Sequence, residues 1–225
     1  MVSESQIDFV AAKKFMERLC LRPIVESFRK NLVMGNLVAW FRDDEEIPGG
    51  IKHQAESHFC ISPEYLTTKR VPFDLTDENY MAGQTLAKAM ESDLLGLSEN
   101  LSQTVATWDI IPSDILEAVN YLDLAKAPKN RRSLFLHPGV KAELPFLPHA
   151  FQTFRHEAVP QKQKGNRAVF HNLFFQRGAF GLKIRKGPTI EICPDPERDD
   201  ILVMVYLFYD YALLNEKLAV NIVSS

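Results

Sequence analysis

The stretch DENYMAGQTLAKAMESDLLGLSENLSQTVATW, residues 77–108, decides how the rest of the chain is read. Leu86, Met90, Leu94, Leu97, Leu101 and Val105 follow one another at spacings of four, four, three, four and four. That spacing predicts one apolar stripe on a helix of about five to six turns. Thr76 or Asp77 can cap its start. Gly83 and Gly96 each cost such a helix about 1 kcal/mol against alanine, and the periodicity outweighs them.

Upstream, Phe9, Ala12, Met16 and Cys20 keep helical spacing until Pro23 limits or restarts the element. Leu37–Phe41 and Tyr65–Phe73 are rich in aromatic and β-branched residues and read as strands. Between them Asp43–Glu46, Pro48–Gly50 and His58 make a polar stretch that reads as one long loop. Downstream, Ser113 is a plausible N-cap, with Ile115, Val119 and Leu122 facing one way along a second helix. Ser133–Leu136 reads as a buried strand. Lys141–Phe151 begins as a helix that Pro145 and Pro148 break, and Gln161–Arg167 is a basic turn. The last fifty residues read as a β-meander. Strands Gly181–Arg185 and Thr189–Cys193 flank a turn at Lys186–Pro188. Ile201–Tyr209 is apolar throughout and suits a strand covered on both faces, and Leu218–Val223 closes the chain. The fold class is α+β, with helices early and an antiparallel sheet late.

The chain has 225 residues and a mass of 25.6 kDa, 46% hydrophobic and 24% charged. Disorder, collagen-like repeats and a disulfide framework are excluded. Its 26 basic and 29 acidic residues leave a formal charge of −3, which argues against a protein whose main task is clamping nucleic acid. Cys20, Cys60 and Cys193 form no CxxC and read as reduced thiols. No basic n-region precedes an apolar stretch, and the longest apolar run, Ile201–Tyr209, is about half a membrane span. A soluble, intracellularly made protein is expected.

Chemistry is hard to find. GxGxxG, the P-loop pattern, HExxH and GxSxG are absent. His53 and His58 are spaced poorly for one helix face. In an extended segment Glu56, His58 and Cys60 alternate onto one side, but zinc wants a fourth ligand and no second cluster exists. Asp43–Glu46 lacks calcium-loop spacing and reads as a solvated acidic turn. His137, His149 and His156 read as capping or core histidines; a pair with a cysteine could arise only through the fold. Lys162, Lys164 and Arg167 near Phe170 are too sparse for nucleic-acid recognition. The expectation is no catalytic residue, no cofactor and no metal.

The order of elements carries more information than any motif. RVPFDLTD (70–77), RSLFLHPGV (132–140) and QRGAFGL (176–182), with Tyr206–Tyr211 and Leu218–Val223, stand in the order loop, long helix, α/β portion, late strands. Over roughly Leu32–Val223 this order resembles the major capsid protein of tailed bacteriophages, the Hong Kong 97-like fold. The resemblance implies an N-terminal arm at 1–31 and an extended E-loop hairpin at 32–76. It implies a peripheral domain (spine helix and antiparallel sheet) at 77–111 and 173–225, and a short axial α/β domain at 112–172. The short stretch between Val140 and Leu173 implies a trimmed axial domain, and a fused scaffolding segment ahead of the arm is not expected.

The same resemblance implies a structural virion protein, not an enzyme. It would assemble in the host cytoplasm as hexamers and pentamers of an icosahedral shell around double-stranded DNA held without sequence-specific binding. Separate scaffolding, portal and decoration proteins are possible partners, and no membrane is. Candidate inter-subunit contacts are Trp40, Phe41, Arg42, Lys52, His58, Tyr65, Lys69 and Arg70. Some relatives crosslink an E-loop lysine to an asparagine, for which Lys52 or Lys69 and Asn172 are the conceivable pair, although no accompanying carboxylate is visible. The competing readings are an encapsulin-like compartment, a small hydrolase or transferase with a fold-assembled site, and a head–tail connector.

Overall fold

Apolar residues recurring every three to four positions begin the fold: Cys20, Ile24 and Phe28 are buried along one side of the first helix. The computed structural model describes residues 9–61, 73–143, 151–165, 167–195 and 200–225. In chain order the elements are α1 (Phe9–Asn31), β1 (Ala39–Trp40), β2 (Ile51–Ile61), α2 (Phe73–Gly96), β3 (Thr104–Thr107), α3 (Pro112–Leu124) and β4 (Arg132–Leu136). There follow β5 (Gln152–Arg155), β6 (Gln161–Lys164), β7 (Arg167–Gln176), β8 (Phe180–Asp195), β9 (Asp200–Leu213) and β10 (Ala219–Ser224). Contacts divide the chain into two units. The first comprises Met1–Leu32, His53–Ala89 and Ile184–Tyr209, and the second Val33–Lys52, Met90–Lys183 and Asp210–Ser225.

In the first unit α1 runs through Pro23 instead of stopping there. An interior proline costs about 3 kcal/mol or more, and burying Cys20, Ile24 and Phe28 offsets it, at about 1.5–3 kcal/mol for each large apolar side chain. Helix α2 crosses α1 at Gly83, where a β-carbon would lie 2.4 Å from the Ile24 carbonyl oxygen. Beside that crossing the Ser27 hydroxyl donates to the Tyr80 carbonyl at 2.6 Å.

The unit's strands are hydrogen-bonded in the order β8-β9-β2. The expected long loop is corrected here: its second half, Ile51–Ile61, is an eleven-residue strand. Ala55, Phe59 and Ile61 are buried while Glu56, His58 and Cys60 are exposed. The alternation is carried by few large apolar residues, so the strand reads as polar. The Lys186–Pro188 turn is also corrected, since all three residues lie inside the sixteen-residue β8. β1 reaches only Gly181 and Leu182 of that strand, so Pro188 sits on an edge, where its missing N–H is tolerated. β9 is covered on one face, not two: Ile201, Val203, Val205, Leu207 and Tyr209 are buried and the residues between them half-buried.

The second unit holds a six-stranded sheet in the order β3-β10-β7-β4-β5, with β6 paired to β7. Its ladder is mixed: β3–β10 and β4–β5 are parallel, β10–β7, β7–β4 and β6–β7 antiparallel. β10 therefore does not close a meander after β9; it inserts between β3 and β7. Ile115, Ala118 and Leu122 of α3 pack on Leu134, Leu136, Phe174, Val220 and Ile222. The opposite face carries Phe135, stacked on Phe154 at 5.0 Å between centroids.

Helix α2 ends at Gly96, not near Trp108. Leu97 then lies on a single tight turn (Leu97–Asn100), Leu101 is extended and Val105 is on β3. All three are buried, but a spacing of four is even, so it also keeps residues on one face of extended chain. The N-cap of α3 is Ile111, not Ser113: Pro112 takes the first helical position, and the Asp114 carboxylate accepts the Ile111 N–H at 2.9 Å. The helix expected from Lys141 is instead a parallel bridge of Ala142 to Ile110, and residues 144–150 lie outside the described residues, as does the predicted strand from Tyr65 up to Phe73, which itself opens α2.

Candidate functional site

The sequence-predicted contact residues Trp40, Phe41 and Arg42 sit where β1 leaves the start of β8. Trp40 is 41% exposed, and its indole N–H donates to the Gly35 carbonyl at 2.7 Å. The Phe41 N–H donates to the Leu182 carbonyl at 3.0 Å. A β-carbon at Gly181 would come within 2.8 Å of the Phe41 ring, so the glycine admits that ring. Next comes the acidic turn. Lys183, 9% exposed, directs its Nζ to the carbonyls of Asp43 and Glu45, each at 2.7 Å. The Glu45 carboxylate turns back to accept the Arg42 N–H at 2.8 Å. The turn is thereby pinned by its backbone, with Asp43, Asp44 and Glu46 exposed.

Lys52, in the second unit, and His58, in the first, are both exposed. Tyr65, Lys69 and Arg70 lie outside the described residues. Asn172, the conceivable crosslink partner, is fully buried. Its oxygen accepts the His137 N–H at 3.0 Å, and its amide donates to the Ile222 carbonyl and the Ser224 hydroxyl, both at 3.0 Å. That residue is a ladder staple.

Strand parity puts His53 on the opposite face of β2 from Glu56, His58 and Cys60. The His53 ring lies edge-on to buried Tyr209 in the first unit, its Nδ1 3.1 Å from the phenol oxygen. Among the described residues no three His, Cys, Asp or Glu side chains are grouped to hold a metal ion. No helix there is long and apolar enough to cross a membrane. The Cys20 thiol is pushed up to about 11 by burial, which suppresses the reactive thiolate.

Sequence reading missed two features of the second unit. The first is Glu91 on α2, fully buried. Its two oxygens accept the N–H groups of Met34 at 2.8 Å and Gly35 at 3.0 Å, and His156 Nε2 stands 3.9 Å away. Burial raises this carboxyl to about 7, against the opposing pull of the Gly35, Met34 and Val33 amides. A single acidic residue in an apolar stripe was the only signal. The second is a cavity of about 630 Å³ lined by Arg131, Arg132 and Arg177 with Asn130, Phe151 and Gln152. Arg132 is consumed: Nε donates to the Pro128 carbonyl at 3.0 Å, and one terminal nitrogen reaches the Ala127 carbonyl at 2.8 Å and the Asp123 carboxylate at 2.7 Å. Arg177 donates from Nε to the Val38 carbonyl at 3.1 Å and from its backbone to the Arg131 carbonyl at 3.2 Å. Arg131 has φ 56° and an exposed side chain. Its sequence signal is the pair Arg131–Arg132 after a helix, which is easily mistaken for a solvated loop.

No family model matches the chain, and no curated protein matches it in sequence. Solved structures do match. A virus-like particle from Pyrococcus furiosus is 13% identical with a TM-score of 0.66, the match covering 91% of this chain and 96% of that one. An encapsulin complex from Synechococcus elongatus is 14% identical at 0.60, covering 84% and 85%. The capsid structure of the cyanophage P-SCSP1u is 9% identical at 0.55, covering 84% and 80%.

Proposed function

Starting from the fold that this chain shares with phage capsid and encapsulin structures, we propose that it is a structural subunit of a closed protein shell. The observation that carries the reading is the likeness along nearly the whole chain to particle-forming structures. The more specific proposal is the icosahedral head shell of a tailed phage, built of hexamers and pentamers around double-stranded DNA. In that assignment residues 1–31 are the arm, 32–76 the E-loop, 77–111 and 173–225 the peripheral domain with α2 as its spine helix, and 112–172 the axial domain. Trp40, Phe41, Arg42, Lys52, His58, Tyr65, Lys69 and Arg70 contact neighbouring subunits, and the role is non-enzymatic. A formal charge of −3 fits a wall that encloses DNA without gripping its phosphates.

The second reading is an encapsulin-like compartment, favoured by the match to the Synechococcus encapsulin, which covers 85% of that chain. Electron microscopy and light scattering of the purified chain, alone and with candidate scaffold, test the shell. Closed particles of uniform size are expected, and a compact monomer under every condition would overturn it. Nuclease-protected DNA inside particles from the native source supports the head; enzyme cargo there supports the compartment.

A further inference from the structure

We infer that the arginine cavity of one copy receives the acidic turn Asp43–Glu46 of a second copy, an inference that rests on the shell reading. Three observations on this chain converge on it. The cavity is lined by Arg131, Arg132 and Arg177, and among the described residues no acidic side chain lines it. Arg132 is neutralised by Asp123, whereas the exposed side chain of Arg131 makes no hydrogen bond or ion pair among the described residues. At about 630 Å³ the cavity falls within the range of binding pockets, about 300–1,000 Å³.

The acidic turn is the matching half. Lys183 and Glu45 spend themselves on its backbone, so the turn is ordered before anything binds it. Pre-ordering lowers the entropy cost of docking. The carboxylates of Asp43, Asp44 and Glu46 remain exposed, with no side-chain partner among the described residues. Guanidinium forks recognise carboxylates through paired hydrogen bonds, and Asn130 and Gln152 add neutral amide side chains to the lining. A repeated subunit in a closed assembly meets only copies of itself over most of its buried surface. The complementary charge on this chain is therefore the available occupant. Such a contact sets register and encounter rate more than raw affinity.

Charge exchange tests the pairing. Arg131→Glu reverses the cavity, Asp43→Arg with Asp44→Arg reverses the turn, and a third variant carries all three changes. Arg131→Asn, which tolerates the left-handed backbone, guards against a misfolded glutamate variant. Circular dichroism and a melting curve establish folding, and light scattering with electron microscopy reads the particles. Wild type is expected to form particles, the two reversed variants to lose the particle peak, the Asn variant to weaken it, and the combined variant to recover it in part. Folded Arg131→Glu or reversed-turn protein that assembles like wild type would overturn the pairing and leave the shell reading standing. A folded combined variant with no recovery also overturns it. Particles of normal yield that hold less nucleic acid would assign the arginines to phosphate instead. A wild-type chain that never assembles overturns both readings.

Discussion

Gly83 and Glu91, both on α2, act in opposite ways. By helix propensity alone Gly83→Ala should stabilise the protein by about 1 kcal/mol. The β-carbon, however, would sit 2.4 Å from the Ile24 carbonyl oxygen, 2.7 Å from the Ser27 β-carbon and 2.9 Å from the Phe28 nitrogen. Two of those are backbone atoms and cannot swing aside, so the helices must separate. A net loss of about 1–3 kcal/mol is expected, read as a lower melting midpoint; an unchanged or higher midpoint would mean the crossing is looser than described. Glu91 is a question of pH. Its folded carboxyl is raised to about 7 from 4.5, chiefly by burial, so the folded state favours the protonated form. Its contribution is complete below about pH 4.5 and is lost as pH rises through about 7, amounting to about 3 kcal/mol. Glu91→Gln cannot titrate. The stability of wild type relative to that variant should fall between about pH 4 and pH 8, and a constant difference would refute the raised carboxyl.

At the scale of elements, β2 separates two expectations. If Ile51–Ile61 were a solvated loop, Phe59→Ala would change little. As a strand next to β9 with Phe59 at 6% exposure, the same substitution should cost about 3–5 kcal/mol, measured by chemical denaturation. For the same reason replacing Glu45–Ser62 by a short Gly-Ser linker removes Ile47, Ala55, Phe59 and Ile61 from buried positions, together with one carbonyl that Lys183 binds. It should unfold the subunit as well as block assembly. The element most legible in sequence is α2 from Leu86 to Leu94, because its period is strong and its residues are large. Strand β4 was legible too, because Leu134–Leu136 is an apolar run and the strand is buried throughout. β2 was not, because its buried face rests on Ala55 and Phe59 while Lys52, Gln54, Glu56 and His58 dominate its composition. Pro188 misled for a related reason: a proline signals a turn unless the strand happens to be an edge, and edges are a property of the whole sheet. The arginine cavity stayed invisible because Asn36, Arg131, Gln152 and Arg177 meet only through pairings distant in sequence.

For the whole molecule, the decisive quantity is stability coupled to association. Anything that binds only the folded chain raises its apparent stability by mass action, and a second copy is such a ligand. Interfaces of standard size bury about 1,600 Å², and a shell subunit has several neighbours, so the coupling should be large. The melting midpoint of wild type should therefore rise with protein concentration. It should fall with added salt if charged contacts such as the acidic turn set the register, because screening shortens to about 3 Å at 1 M. Folded Arg131→Glu protein should show a weaker rise of midpoint with concentration than wild type, its values lying closer to the one wild type approaches on dilution. Gly83→Ala should behave differently: it weakens the subunit itself, so its midpoint should drop on dilute and concentrated samples alike while retaining a concentration dependence. A wild-type midpoint that stays constant over a hundredfold dilution would show that folded copies do not associate. The two kinds of variant thus separate the energy that folds one copy from the energy that joins copies, which is the distinction a shell protein requires.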